Sequence, residues 1–374
     1  MGPLENITLC VPRRSAVQDS HAAFLVPDNM ADFEVLENHV LIRIDVFGFS
    51  TNNLTYQVLG EHPHFRYFDL YPAPSQENVS STTHGVISVW GFATIVMSTH
   101  PKLLAGERLY GYFAPTRFLT LPVSDVNRHA VYVPRPHLPE DYLFSSLHLS
   151  GATAVVISSA SSKTAFLLAY RIRKRSLRSV KVFGLTSEKN REFVRKLGLY
   201  DEVLVYDTFA FSLLFPARKT DTVIYVDVAG NAALNQRVFA QFASPYAGSL
   251  SLCLSLGMTT LSPSDRVGSE WGLREASTAK PSQPMSPFWP IMESFFMPEW
   301  LAVRRKQLPQ KVIVDQQNAA WTDLMANCQG WVRMKRMSGA NAVLSAYVEM
   351  SSGQTDAQTG FVCSMWDGVT HAKL

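Results

Sequence analysis

The sequence predicts an α/β protein of two domains, one β-rich and one built on a doubly wound parallel sheet. Two observations carry this. The first third contains extended, alternating runs broken by turn residues. The middle third alternates short apolar runs with helical stretches, the rhythm of βαβ units. The length, 374 residues, suits two domains, and a composition 47% hydrophobic and 17% charged supplies ample apolar surface for their cores.

In the first third, Val40 to Val46 (VLIRIDV) alternates as a half-buried strand does. Gly48, Ser50, Asn52 and Asn53 are expected to break it, with Asn52 in a turn. Val86 to Met97, Gly106 to Phe113 and Phe118 to Val123 continue the extended pattern, the middle one hairpin-like. A curled β domain follows from this order.

The rhythm then changes. Ala152 to Ile157 suits a buried parallel strand. Small polar residues, Ser158 to Ser162, precede a helix from about Lys163 to Arg173. Strands are expected at Val180 to Phe183, Val203 to Tyr206, Thr222 to Val228 and Ser249 to Ser255. Between them, Ser187 caps a helix that Gly198 ends, and Asn235 to Phe242 is helical. Leu261 to Pro290, rich in Ser, Pro and Gly, reads as a long loop or lid. Helices at Glu299 to Lys306, Asn318 to Cys328 and Asn341 to Met350 lead to a closing strand, Gly360 to Met365. The boundaries so drawn are 1–145, 146–260 and 261–374, the last returning to the first domain.

Composition excludes several classes. A formal charge of +3 without a basic stripe disfavours nucleic acid. The basic run at Arg171, Arg173, Lys174, Arg175 and Arg178 reads as a solvated helix end. Cys10, Cys253, Cys328 and Cys363 lie far apart, without the paired spacing of a zinc ribbon, so no metal is expected. No run of about 18 apolar residues and no apolar leader occur, so neither a membrane span nor secretion is expected. The expectation is a soluble cytoplasmic protein. No Gly-x-Ser-x-Gly elbow points to a hydrolase.

Several segments, in order, resemble the medium-chain dehydrogenase/reductase superfamily, nearest its zinc-free quinone oxidoreductase and enoyl reductase branch. They are VLIRIDVFGFSTNNLTY, GERLYGYF, VFGLTSEKNREFVRKLGLYDEVLVYD, VDVAGN and the tail ANAVLSAYVEMSSGQTDAQTGFVCSMW. Each is weak alone; their collinearity is the signal. The resemblance implies a GroES-like β-rich domain plus a Rossmann-like domain, and by analogy a homodimer. More narrowly, NNLTYQVLG, WGFA, SSASSKTA and GFVCSMW resemble the DUF2855 family. That narrower resemblance implies a fungal setting near polyketide or other specialised-metabolite genes.

The superfamily's phosphate turn carries glycines between strand and helix. Here SSASSKTA takes that place, with Ser159, Ser161 and Thr164 at the glycine positions and Thr164 expected to press on the helix–strand contact. Ser158, Ser159, Ser161, Ser162, Lys163 and Thr164 are candidate phosphate ligands, and Gly230 joins them from VDVAGN. No acidic residue directly follows Phe183-Gly184-Leu185. Ser187 and Lys189 lie there instead, and Tyr206 matches a tyrosine that meets a 2′-phosphate, so NADPH is favoured over NADH. The alternatives are a helix cap and a solvated lysine, with nucleotide binding lost.

For the chemistry, Tyr56 matches a tyrosine near nicotinamide and substrate in quinone oxidoreductase relatives. A phenol there donates a proton, or a hydrogen bond to a carbonyl gaining charge. Asn53 is an orienting candidate, and His62, His64 and Tyr67 form a pocket wall or a surface loop. Three readings stay open. One is an NADPH-dependent reductase of an enone, quinone or carbonyl in a hydrophobic small molecule. Another is a cofactor-independent lyase, isomerase or cyclase using Tyr56, His62, His64 and Tyr67. The third is a non-catalytic accessory protein.

Overall fold

The structure is a computed structural model, describing residues 4–16, 22–62, 65–127, 130–134, 152–174, 180–216, 218–243, 246–257, 292–295 and 297–368, apart from 31–33. The chain forms two compact units: Met1–Glu140, Leu261–Asp265 and Arg333–Leu374 make unit 1, and Asp141–Thr260 and Arg266–Val332 make unit 2.

Unit 1 opens with β1 (Leu4–Pro12), β2 (Phe24–Met30), β3 (His39–Phe49) and α1 (Thr51–Val58). It continues through β4 (His84–Val86), β5 (Val89–Ser98), β6 (Arg108–Phe113), β7 (Phe118–Pro122), β8 (Asp125–Val126) and β9 (Val131–Tyr132). Strands β2, β1 and β4 form one antiparallel sheet. β3 is the centre of a second, pairing antiparallel with both β5 and β7. Its residues Val40, Ile42, Ile44, Phe47 and Phe49 are buried in the core, which is why the run is almost continuously apolar.

Unit 2 contains β10 (Ala154–Ile157), α2 (Lys163–Lys174), β11 (Lys181–Thr186), α3 (Glu188–Lys196), β12 (Glu202–Val205), β13 (Thr222–Asp227), α4 (Ala232–Phe242), β14 (Ser249–Ser255) and β15 (Met292–Ser294). Helices α5 (Met297–Gln307) and α6 (Gln310–Asn327) follow. The sheet runs β12-β11-β10-β13-β14-β15, parallel throughout. That is the doubly wound order, with its switch point between β10 and β13, where the strand ends open a crevice for ligands. Gly184 is obligatory in β11: a Cβ there would lie 2.9 Å from the Ala160 Cβ and 2.9 Å from the Tyr200 ring. This close approach lets the turn after β10 rest on the neighbouring strand.

The chain returns to unit 1 through β16 (Arg333–Ser338), α7 (Ala340–Ser351) and β17 (Thr359–Ser364). β17 lies between β16 and β3, parallel to the first and antiparallel to the second. The fold is α/β, with the β-rich and Rossmann-like parts expected. Six strands were not read from sequence: β1, β2, β8, β9, β15 and β16, and the run read as Val86 to Met97 divides into β4 and β5. The break expected after Gly48 is instead helix α1, and Asn52 lies within it rather than in a turn. α6 starts at Gln310, well before Asn318. The Leu261 to Pro290 loop lies outside the described residues. Among the described residues no helix is long and apolar enough to cross a membrane.

Candidate functional site

The switch point of unit 2 is organised around a buried carboxylate. Asp227 ends β13 and is 2% exposed. Its Oδ1 accepts from the Ser158 hydroxyl at 2.8 Å and from the backbone N–H groups of Ala229 and Gly230, both at 3.0 Å. Its Oδ2 accepts from the Asn235 amide at 2.8 Å, and the Asn235 Oδ1 accepts from the Tyr225 hydroxyl at 2.7 Å. Burial pushes the Asp227 carboxyl above the usual carboxylate range, and these donors pull it part of the way back. Ser158 Oγ also accepts from Val228 and Ala229 N–H, each at 2.9 Å. The ends of β10 and β13 are thereby tied together.

The turn after β10 keeps a glycine-like shape with serine in it. Ser159 stands at φ +51°, the left-handed region that favours glycine. Its N–H donates to the Tyr206 hydroxyl at 3.0 Å, and Ala160 N–H donates to the Leu185 carbonyl at 3.0 Å. The Tyr200 hydroxyl donates to the Ala160 carbonyl at 3.0 Å. Ser161 Oγ accepts from the Asn190 amide at 3.1 Å, and Ser162 Oγ from Ala165 N–H at 3.3 Å. A hydroxyl that accepts in this way keeps its own proton to donate. Lys163 then opens α2, whose first-turn N–H groups and dipole favour an anion.

These contacts sort the serines. Ser158 gives its proton to Asp227 and is a strut, not a phosphate donor. Ser161 and Ser162 act as acceptors in these bonds. Thr164 is exposed, so it does not press on the helix–strand contact as expected; Ala165, fully buried, fills that place. Gly230 has φ +67° and spends its N–H on Asp227.

On the ribose side, Ser187 occupies the N-cap of α3 with extended φ, and its side chain makes no cap hydrogen bond. Lys189 is exposed in the first turn of the same helix. Tyr206 lies at the turn itself, its hydroxyl pushed up to about 12 by burial. The turn therefore shares this tyrosine with any 2′-phosphate. These residues fit a dinucleotide: a left-handed turn at the switch point, a helix N-terminus, two serines and two lysines.

In unit 1, Tyr56 lies on α1, half-buried among rings. Its hydroxyl accepts from the Asn52 amide at 2.7 Å, one helical turn back. Burial raises its pKa, so the phenol is protonated at neutral pH. Its ring centroid is 4.6 Å from Tyr67 and 5.6 Å from Tyr112. Tyr112 has a buried hydroxyl, its pKa raised by burial first and then by the neighbouring Tyr56. Asn53 is buried, accepting from Ser50 N–H at 2.9 Å and donating to the Ser88 carbonyl at 3.0 Å. It anchors the start of α1, with both amide atoms engaged in these bonds. His62 is half-buried with its ring 5.3 Å from Phe65, which stacks on Tyr67. His64 lies outside the described residues. Among the described residues no three His, Cys, Asp or Glu side chains gather as a metal site.

Tyr56 and Tyr67 are thus brought together, and His62 joins them through Phe65. Sequence reasoning missed Asn190, Tyr200 and Asn235, which hold Ser161, Ala160 and Asp227, and it read Asn52 as a turn residue and not as the partner of Tyr56. Asn52 alone carried a signal, its four-residue spacing from Tyr56 on a helix.

The fold matches several solved structures at low identity. CurA from Vibrio vulnificus has a TM-score of 0.54 and 13% identity over 96% of this chain and 99% of that one. A putative NADPH:quinone reductase from Bacillus thuringiensis gives 0.54 and 13%, over 96% and 99%. A mutant form of enoyl thioester reductase from Candida tropicalis gives 0.52 and 12%, over 96% and 100%. Such likeness establishes the fold. No curated protein matches by sequence. The family described as a protein of unknown function, DUF2855, matches residues 47–141 and 136–356. The resemblance in NNLTYQVLG, WGFA and SSASSKTA is therefore one of membership, and the chain belongs to the DUF2855 family.

Proposed function

We propose that this protein is an NADPH-dependent reductase of an enone, quinone or other activated carbonyl in a hydrophobic specialised metabolite of the polyketide type. The observation that carries the reading is Ser159. It holds a left-handed conformation, φ +51°, at the switch point of the sheet, although a non-glycine residue is costly there. Strained backbone of this kind gathers at ligand-binding sites, which supports the reading. The solved structures of the same fold include CurA in complex with NADPH and a putative NADPH:quinone reductase, which supports the reading.

Bound NADPH supplies a hydride. The chain's own residues do the rest. Ser161, Ser162, Lys163 and the start of α2 hold the pyrophosphate, and Ser187 and Lys189 hold the 2′-phosphate. Tyr56 accepts from Asn52 and so keeps its proton for the substrate oxygen. Its raised pKa keeps that proton in place until the oxygen becomes basic enough to take it.

Titration of the purified protein with NADPH and NADH, followed by intrinsic-fluorescence quenching, tests this. Saturable NADPH binding in the micromolar range, tighter than NADH, is expected. Absence of binding up to millimolar NADPH would overturn the reading. A cofactor-independent isomerase or cyclase on the same fold would then take its place, favoured by the side chains that replace glycine in the turn.

A further inference from the structure

One outer face of unit 1 carries a continuous row of rings. Tyr67 touches Tyr56, and Tyr56 meets Tyr112 edge-on. Tyr112 lies 5.1 Å from Trp90, Trp90 stacks on Tyr110 at 5.7 Å and 21°, and Tyr110 lies 5.0 Å from Phe92. The row has a simple origin. Trp90 pairs with Tyr112, and Phe92 with Tyr110, across β5 and β6. Alternation sends Val89, Gly91, Ala93 and Ile95 into the core and the aromatic residues outward. The solvent face of an antiparallel sheet is ordinarily polar. Here Trp90 is 51% exposed and Tyr110 63% exposed. Such a contiguous exposed apolar surface marks a binding site.

We infer that the Trp90–Tyr110 face, continuous with Tyr56, is a stacking platform for a flat, fused-ring aromatic ligand. Stacked rings extend most readily by another ring, and the offset Trp90–Tyr110 pair offers that arrangement. At the far end Arg108 covers the Phe92 ring at 4.8 Å, 3.9 Å from an Asp45 that also pairs with Arg43 at 3.0 Å. A linear acyl chain has no faces to stack and gains little from such a surface. The inference rests on the proposed reductase function only in making this ligand the substrate and placing its carbonyl beside Tyr56.

The test separates the two. Binding of phenanthrenequinone, a flat tricyclic probe, and of a linear aliphatic enone of equal carbon count is measured by calorimetry without nucleotide. Wild type, Trp90→Leu and Tyr110→Leu are compared, with thermal melting to verify folding. These positions are exposed, so the variants keep the fold. The tricycle is expected to bind wild type more tightly than the enone. Each substitution should weaken the tricycle about three- to tenfold, the range for one lost aromatic pair, and leave the enone unchanged. Equal binding of the tricycle by wild type and both folded variants overturns the platform. So does failure of the tricycle to bind wild type, or a face that proves on sedimentation to be an interface with a second copy. If the tricycle binds as expected but NADPH does not, the reductase reading falls and the platform stands.

Discussion

Replacing Asp227 should separate the roles of its charge and its shape. Four donors converge on this buried carboxylate: Ser158 Oγ, the N–H groups of Ala229 and Gly230, and the Asn235 amide. Asp227→Ala removes every acceptor at once. Ala229 N–H keeps Ser158 Oγ, but the other three donors are stranded. At about 1–3 kcal/mol for each buried unsatisfied group, offset by entering water, the loss should reach about 3–5 kcal/mol. Asp227→Asn preserves the shape and one acceptor. Its new amide would confront the Asn235 amide, which relieves the conflict by flipping and presenting its oxygen. That leaves a cost of about 1–2 kcal/mol. pH adds a sign. A carboxyl raised in the folded state binds protons there more readily than in the unfolded chain. Its contribution to stability is therefore complete below the ordinary value of 3.8 and is lost as pH rises through the raised one. The gap between wild type and Asp227→Asn should accordingly narrow between acid and neutral pH. Urea denaturation at two pH values, with amide hydrogen exchange across residues 158–162 and 228–230, measures all of this. The reasoning is refuted if Asp227→Ala costs no more than a surface change, about 0.5 kcal/mol. Equal costs for the two substitutions would refute it as well.

Three other outcomes are expected. Tyr56→Phe should leave folding intact and cut turnover by roughly tenfold to a thousandfold, as for one lost donor in a pocket; wild-type kcat and KM in steady-state assays would remove the phenol from the chemistry. Lys189→Ala should weaken NADPH but spare NADH, whereas Lys163→Ala should weaken both alike, and unchanged NADPH affinity in the double variant would sink the assignment. Ser159→Gly should relieve about 1–2 kcal/mol of left-handed strain, less about 0.5–1 kcal/mol of added backbone entropy. A modest rise in melting temperature is the expected result, and a clear fall counts against the strain argument.

What the sequence showed depended on burial. Strands β10 and β13 of unit 2 were legible because they are buried on both faces and read as apolar runs. β16 (RMKRMS) is almost wholly exposed, so it carries no hydrophobic period at all. α1 was taken for a turn because Asn52 and Asn53 weigh against helix, yet Asn53 stabilises its first turn by accepting from Ser50. At the site, the identities of the serines were plain but their division of labour was not. Ser158 and Ser161 are chemically alike; only their long-range partners, Asp227 and Asn190, tell the two apart. The exposed ring row was equally hidden. Trp90 and Tyr110 become neighbours only through the register of β5 against β6.

The late return of the chain to unit 1 bears on how the protein is made. β17 sits inside the second sheet, pairing Phe361 with Phe49 and Cys363 with Phe47. The residues of unit 2 all lie between 141 and 332. A ribosome therefore delivers every strand of the Rossmann-like sheet before it delivers the strand that completes the first one. During synthesis β3 must wait, with its apolar edge and its partner site for β17 unfilled, until residues 359–364 emerge. Such long-range pairing is slow and exposes strand edges to association. A chain that stops short of Thr359 would retain all of unit 2 and lack the central closure of unit 1. It should accumulate as an aggregation-prone half-folded species, not as a smaller working protein.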